Sequence, residues 1–298
     1  LRRLEDLALL KASAPAAVYV EAWEWPYVAE AGEGLVVLEG AVKGPYVENK
    51  LEEELLKRLE AAIKEARRGD GRVVLLRGPK GVGKSTAAAA ALYKLLKGGK
   101  VAVAVFDLGA VVDETRTRQF LSEAMRRVPV LYLDPTRVEF YSSHTHARPP
   151  IAQAADNLAK LVELAKRSGV VALVVLSEDQ VETIERSKML KEEVKKILLS
   201  DVDVIKAGDV IRVEPFVRAL VEKYSGCSSD VVEGTAKAIA ASFKDGYAVA
   251  AVLAADWLKR GGCNVEEVKR AIERARGDVH RFALDYIWHV VLGEDENV

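Results

Sequence analysis

A glycine-rich segment at residues 78–86 carries the residue types that hold phosphate groups in proteins. It fits the pattern G-x-x-x-x-G-K-S/T, and its members in order are Gly78, Pro79, Lys80, Gly81, Val82, Gly83, Lys84, Ser85 and Thr86. Glycines let consecutive backbone N–H groups turn inward around an anion, and a helix N-terminus adds further unpaired N–H groups. The pattern predicts that Lys84 reaches the β- and γ-phosphates of a nucleotide and that the Ser85 hydroxyl ligates Mg²⁺.

The residues on either side of this segment favour the same interpretation. Residues 72–77 form a short apolar and β-branched run, which predicts a buried strand. Residues 86–97 are rich in Ala and Leu and contain neither Pro nor Gly, which predicts a helix. A strand before the glycines and a helix after them is the context in which this loop binds phosphate.

A second residue suited to metal chemistry is Asp134, which follows the apolar residues 130–133. This form is typical of the Walker B strand, whose terminal carboxylate holds Mg²⁺ directly or through a water molecule. An apolar run that ends in Asp is common by itself. Its place downstream of the phosphate loop predicts a metal-holding role for Asp134.

Predicted strands and helices alternate through the first two thirds of the chain. The predicted strands are residues 72–77, 101–106, 130–133, 170–176 and 210–213, and the predicted helices between or beside them are residues 49–68, 86–97, 114–127, 152–168 and 181–199. This alternation implies right-handed crossovers and a mainly parallel five-stranded sheet, with ligands at the carboxyl ends of the strands. The sequence therefore predicts an α/β three-layer sandwich of the P-loop NTPase type.

Three domains follow from the change of pattern along the chain. Residues 1–44 are predicted to form an extension, with a short amphipathic helix at residues 1–10 and aromatic-rich strands at 18–28 and 35–38 that could pair as a hairpin. Residues 45–216 form the predicted ATPase-like α/β domain. Residues 217–298 read as helices separated by glycines, which predicts an all-α lid domain.

Composition excludes several classes of protein. The chain is 50% hydrophobic and 30% charged, which is typical of a globular protein. It contains no apolar run of bilayer-spanning length and no recognisable signal peptide, so we expect a cytoplasmic protein that does not bind membranes. A net charge of −1 excludes a strongly basic nucleic-acid-binding protein of the histone type, although it allows a local basic patch.

Two further compositional features concern the source and the cysteines. Asn and Gln are scarce while charged residues are abundant, which resembles the composition of hyperthermophile proteins. Cys227 and Cys263 do not form a C-x-x-C pair, so we do not expect a zinc site. A disulfide between them is one option, because some intracellular proteins of hyperthermophiles contain such bonds.

Over roughly residues 45–292, these motifs together resemble the AAA+ ATPases, nearest in pattern to archaeal origin-recognition initiators and clamp loaders. The resemblance implies that Ser177, at the end of the fourth predicted strand, is the polar sensor that positions the attacking water. It also places Tyr46 where an N-terminal linker lines the adenine in such proteins. Residues 211–216 resemble the step into the initiator lid.

Residues 277–285 resemble the Gly-Asp-x-Arg-x-Ala-Leu-Asp segment of the initiator lid, whose Arg contacts the γ-phosphate. One extra residue intervenes here. Counting from Gly277 puts His280 in the arginine position, and counting back from Ala283 puts Arg281 there. We favour Arg281 as the lid sensor because a guanidinium stays charged at any pH.

The resemblance implies ATP or ADP with Mg²⁺ as ligands and nucleotide-driven assembly or remodelling of a macromolecular partner. Active sites of this family lie between subunits, so we expect a homo- or hetero-oligomer. The candidate arginine finger is Arg186, with Arg126 and Arg127 as alternatives. DNA is one candidate partner, although we expect no winged-helix domain like that of the initiators.

The segment at residues 136–150 has two interpretations. It mixes Arg, His and aromatic residues where related ATPases place pore or DNA-contacting elements, and it also suits a plain surface loop. Its His144 and His146 have metal-ligand spacing but lack an evident third ligand.

One departure from the family concerns hydrolysis. Pro135 follows Asp134, where AAA+ hydrolases usually carry the Glu that activates water. Either Glu139 or Glu178 takes that role, or hydrolysis is slow and the protein is a nucleotide-dependent switch. Archaeal STAND-like signalling ATPases are the model for the second option, although their Gly-apolar-Pro lid motif is missing. A small-molecule kinase is disfavoured, because the helical region follows the sheet and does not interrupt it.

Overall fold

The computed structural model describes residues 28–30, 36–38, 46–66, 70–97, 103–105, 130–134 and 151–293. Several predictions concern residues outside these ranges. They are the helices at 1–10 and 114–127, most of the strand at 18–28, the segment at 136–150 with Glu139, His144 and His146, and the residues Pro135, Arg126 and Arg127.

The chain divides into two compact units. The first comprises Leu1–Lys43, Leu51–Gly78 and Lys84–Lys206, and the second comprises Gly44–Lys50, Pro79–Gly83 and Ala207–Val298. The second unit therefore begins its long helical segment at Ala207, whereas the sequence placed the boundary after residue 216. It also includes the glycine-rich loop at residues 79–83, which the sequence assigned to the α/β domain.

The first unit contains a short antiparallel pair and a parallel sheet. Strands β1 (Val28–Glu30) and β2 (Val36–Leu38) pair antiparallel, with Val28 opposite Leu38. The five-stranded sheet has the order β4-β5-β6-β3-β7, and every neighbouring pair is parallel. Its strands are β3 (Val73–Gly78), β4 (Val103–Val105), β5 (Val130–Leu133), β6 (Val171–Ser177) and β7 (Asp203–Lys206). The predicted α/β class and the parallel five-stranded sheet are confirmed.

The predicted fifth strand at residues 210–213 is wrong. Helix α6 (Ala207–Val210) and helix α7 (Val213–Ser225) occupy that region, and Pro215 lies in the first turn of α7, where a missing N–H is tolerated. The fifth strand is β7, an edge strand whose apolar residues are flanked by Asp203 and Lys206. β7 was not predicted because it has four residues, of which only the middle two are apolar.

The helices of the first unit cover the sheet. They are α1 (Lys50–Ala66), α2 (Lys84–Lys97), α3 (Ile151–Arg167), α4 (Glu178–Arg186) and α5 (Glu192–Leu199). Residues 181–199 are largely helical, as predicted, but they belong to two helices, α4 and α5, with a break between them. All residues of β5 and β6 are buried, and α3, α4 and α5 pack on this sheet in one apolar core.

The second unit is helical, as predicted. After α6 and α7 come α8 (Ser229–Ser242), α9 (Tyr247–Arg260), α10 (Val265–Ala275) and α11 (Val279–Tyr286), followed by a π-helical turn (Ile287–Leu292). Ala250, Ala251, Ala254 and Ala255 of α9 are fully buried, and aromatic rings also pack in the core of this unit. Phe282 lies 5.7 Å from Phe243 and 6.0 Å from Trp257 between ring centroids. Among the described residues, no helix is both long and apolar enough to cross a bilayer.

A disulfide joins two loops of the second unit. Cys227 follows α7 and Cys263 precedes α10, and their Cα atoms are 5.8 Å apart. The bond closes a loop across 36 residues of sequence, so it restricts the unfolded chain strongly. The structure contains the disulfide that the sequence left open as an option.

Loss of this disulfide is expected to destabilise the second unit. The loop-closure relation gives about 3 to 4 kcal/mol for a loop of this length, so reduction should lower the free energy of unfolding by that order. Guanidinium unfolding with and without a reductant measures the effect. In the double variant Cys227→Ser, Cys263→Ser, reductant should leave the midpoint unchanged. Equal stability of the oxidised and reduced wild-type protein would contradict the prediction.

Candidate nucleotide site

The glycine-rich loop joins a strand to a helix, as the sequence predicts. Strand β3 ends at Gly78 and α2 begins at Lys84. Gly81 has φ +68° and Gly83 has φ +90°, a region of backbone space that side-chain-bearing residues rarely adopt. The loop therefore needs glycine at these two positions, and Val82 between them is buried and anchors it.

Lys84 lies at the N-terminus of α2 and is only 5% exposed. A lysine at this end of a helix adds a positive charge to the positive end of the helix dipole. Two positive features at one place favour an anionic ligand, and burial strengthens the attraction by lowering the local dielectric constant. Ser85 and Thr86 follow in the first turn of the helix, half-buried. The donor set therefore fits the phosphates of a nucleotide.

Sheet order brings the other predicted residues of the first unit to the same edge as the loop. Ser177 ends β6 and pairs in register with Gly78, the last residue of β3. On the other side of β6, Leu133 pairs with Val174, and Asp134 follows Leu133 directly. Ser177 thus lies at the carboxyl end of the strand beside β3, and Asp134 follows the carboxyl end of β5, one strand further along the sheet.

Asp134 is held by a residue that the sequence analysis did not identify. The Tyr132 hydroxyl donates a hydrogen bond of 2.8 Å to a carboxylate oxygen of Asp134, and both side chains are buried. Residues two apart on a strand face the same side, so this pair is a local consequence of β5. Tyr132 fixes the orientation of the carboxylate.

Ser177 has a structural role beside its predicted sensor role. It is the N-cap of α4, where its Oγ accepts from the Gln180 N–H at 3.3 Å and its own N–H donates to Gln180 Oε1 at 2.8 Å. This reciprocal pair is a capping box and is buried. The spacing Ser-x-x-Gln is visible in the sequence. It was not recognised as a cap because the helix was predicted to begin at residue 181, four residues after Ser177.

Two charged candidates in the first unit already interact with oppositely charged groups. Glu178, one alternative for activating water, has a carboxylate oxygen 3.9 Å from Nε of Arg77. Arg186, the candidate arginine finger, ends α4 and pairs with Glu182 at 2.6 Å, with its side chain 78% exposed. Arg186 is therefore a solvated helix arginine within one chain.

In the second unit, the loop lies close to Gly246 and Phe216. From the sequence, Gly246 was only one of the glycines that separate helices, and Phe216 was only the last residue of the segment leading into the lid. The Gly246 N–H donates a 2.9 Å hydrogen bond to the Lys80 carbonyl. Phe216 contacts the loop near Gly83, since a Cβ added at Gly83 would lie 3.9 Å from Phe216 Cζ. Phe216 packs edge-on against Tyr247, and burial raises the pKa of Tyr247 to about 12, so this ring is a neutral phenol.

Tyr46 is fixed on α7 through its main chain. The Tyr46 N–H donates to the Tyr224 hydroxyl at 2.8 Å, and the Tyr46 carbonyl accepts from Tyr224 and from Lys223 Nζ at 2.7 Å. Its ring is buried. The peptide groups of Tyr46 are therefore engaged inside the second unit, and its contact with adenine remains a prediction.

Arg281 and His280 are neighbours in the first turn of α11, and both are exposed. Asp278 caps this helix by accepting from the N–H groups of His280 and Arg281, and its other oxygen lies 3.7 Å from Arg281 Nε. The turn is thus firmly formed. Arg281 remains the predicted lid sensor.

The capping role of Ser177 gives a prediction that is separate from catalysis. Ser177→Ala removes the cap and should lower the free energy of unfolding by about 1 kcal/mol. Ser177→Thr keeps a hydroxyl at the cap and should recover most of the loss. Urea unfolding of the three proteins measures this, and an alanine variant as stable as wild type would refute the cap.

Comparison with known proteins agrees with this geometry. Residues 52–185 match the family model of the AAA ATPase domain. No curated protein matches the sequence significantly. Solved structures do match it, but at identities that show the fold alone.

The ORC2 protein of Aeropyrum pernix, solved as ADPNP–ADP complexes, superposes with a TM-score of 0.52 and 14% identity, over 78% of this chain and 71% of its own. Cdc6p of Pyrobaculum aerophilum gives a TM-score of 0.51 and 16% identity, over 82% of this chain and 72% of its own. Domain III of the replication initiation protein DnaA of Thermotoga maritima gives 0.49 and 12%, over 78% and 95%. The resemblance inferred from the motifs is confirmed, since residues 52–185 match the model of the AAA ATPase domain.

Proposed function

We propose that this protein binds ATP or ADP with Mg²⁺ at the loop of residues 78–86 and acts as an AAA+-type ATPase. The observation that carries the proposal is the loop itself, with left-handed Gly81 and Gly83 leading into buried Lys84 at a helix N-terminus. The AAA ATPase domain matched at residues 52–185 supports the same activity.

Each residue has a role that its chemistry supports. The loop N–H groups and Lys84 would hold the phosphates, because backbone donors at a helix start and an ammonium group favour anions. Ser85 and Asp134 would hold Mg²⁺ through oxygen ligands, which this ion prefers. When bound, the metal neutralises charge on the phosphate oxygens. Tyr132 keeps the Asp134 carboxylate oriented for this task.

The remaining roles concern the reacting end of the nucleotide. Ser177 is proposed to orient water or the γ-phosphate through the hydroxyl proton, which its capping bond leaves free to donate. Arg281 is proposed to sense the γ-phosphate from the lid. A second subunit would supply an arginine finger, with exposed Arg186 as the candidate, in an assembly that acts on a macromolecular partner such as DNA.

A hydrolysis-poor switch is the second candidate function. Two observations favour it: Pro135 occupies the usual position of the water-activating Glu, and the Glu178 carboxylate lies beside the Arg77 guanidinium. Losing a general base typically slows such a step by about two to four orders of magnitude while binding persists. Single-turnover hydrolysis of ATP by the purified protein separates the two, since brisk chemistry without a partner rejects the switch.

Lys84→Ala should weaken binding of Mg-ADP by about 10- to 100-fold, because a charged hydrogen bond to phosphate contributes roughly 1.5 to 3 kcal/mol. Titration with a fluorescent ADP analogue measures the affinity, and circular dichroism checks that the variant is folded.

The matched control is Lys80→Ala in the same loop. Lys80 is exposed and occupies a variable position of the motif, so its loss should change the affinity less than about threefold. A folded Lys84→Ala protein with wild-type affinity would overturn the proposed site.

A further inference from the structure

We propose that Gly246, at the start of α9, is a positioning residue for the phosphate loop. Its N–H group and its lack of a side chain keep residues 79–83 in the shape that binds phosphate. This inference rests on the proposed nucleotide site and extends it to a residue outside the sequence motif.

The hydrogen bond from Gly246 sets the orientation of a peptide group in the loop. The Gly246 N–H donates to the Lys80 carbonyl at 2.9 Å, so that carbonyl points toward α9. A peptide bond is planar and trans, which makes the N–H of the next residue point the opposite way. The Gly81 N–H is therefore directed away from Gly246, and the carbonyl, which would repel an anion, is held back on the Gly246 side.

Close packing reinforces this orientation. A Cβ on Gly81 would lie 2.6 Å from the Gly246 Cα, closer than carbon atoms can approach. A Cβ on Gly246 would lie 2.7 to 3.0 Å from the side chain of Val279. Gly246 is thus enclosed between the loop on one side and the first residue of α11 on the other, with room for a hydrogen atom only.

The close packing of Gly81, Gly246 and Val279, which we call the glycine stack, links the loop to the turn that carries the predicted lid sensor. Val279 is the first residue of α11, and Arg281 lies two positions later. Because packed groups in van der Waals contact move together, a change in the loop is passed through Gly246 to the start of α11. Occupancy of the loop and the placement of Arg281 are therefore coupled inside the second unit.

The decisive experiment compares Gly246→Ala with Gly226→Ala in the whole chain, with Mg-ADP as the probe. Both glycines have left-handed φ values, +72° and +70°, so both substitutions strain the backbone alike. A Cβ at Gly226 meets nothing within 4 Å. Gly246→Ala should weaken Mg-ADP binding at least tenfold, and Gly226→Ala should keep the wild-type affinity within about twofold.

A double variant tests whether the effect passes through the glycine stack. Val279→Gly removes the three atoms nearest to an alanine Cβ at position 246, so Gly246→Ala combined with Val279→Gly should regain part of the lost affinity. Equal affinities of the Gly246→Ala and Gly226→Ala proteins would overturn the inference. If the wild-type protein fails to bind Mg-ADP, the proposed nucleotide site itself is contradicted. This outcome differs from one in which the wild-type protein binds Mg-ADP and only the role of Gly246 is contradicted.

Amide exchange of the wild-type protein gives a readout that does not depend on a folded variant. The Gly246 N–H should exchange slowly and should exchange more slowly still when Mg-ADP is added, since its acceptor is the loop carbonyl. An exchange rate that is indifferent to Mg-ADP, in protein that binds it, would contradict the coupling.

Discussion

The site depends on the parallel register of β6 with both of its neighbours. β6 is buried along its whole length and pairs with β3 on one side and β5 on the other. This register places Gly78, Ser177 and Asp134 at one edge of the sheet, although they come from distant parts of the chain. A slip of one residue would turn the buried side chains of β6 to the opposite face, so the apolar core and the site are specified together.

Local features of the site were predictable because their signals are contiguous in sequence. The loop, the strand before it and the helix after it all lie within residues 72–97, and each needs only short-range information. The buried strand that ends before Asp134 was equally clear, because its apolar run is unbroken. The parallel sheet followed from alternation of elements and the handedness of crossovers.

Other features depend on contacts that no short pattern reveals. β7 is an edge strand that is stabilised by pairing with β3. Because charged residues begin and end this short strand, its sequence did not predict a strand. The break between α4 and α5, at residues 187–191, follows from no glycine or proline in the sequence. Gly246 lies far from the loop in sequence, and a glycine that precedes a helix looks the same in the sequence whether or not it contacts a phosphate loop.

Nucleotide binding and turnover are separate properties of the proposed site, since binding depends on the loop and turnover depends on a water-activating base, whose usual position is occupied by Pro135. Calorimetric titration of the whole chain with Mg-ADP and with adenosine tests whether the loop binds phosphate. We expect saturable binding of about one Mg-ADP per chain and far weaker binding of adenosine, because charged hydrogen bonds to phosphate carry the affinity. Adenosine binding as tightly as Mg-ADP, or no saturable binding of Mg-ADP at all, would contradict this expectation.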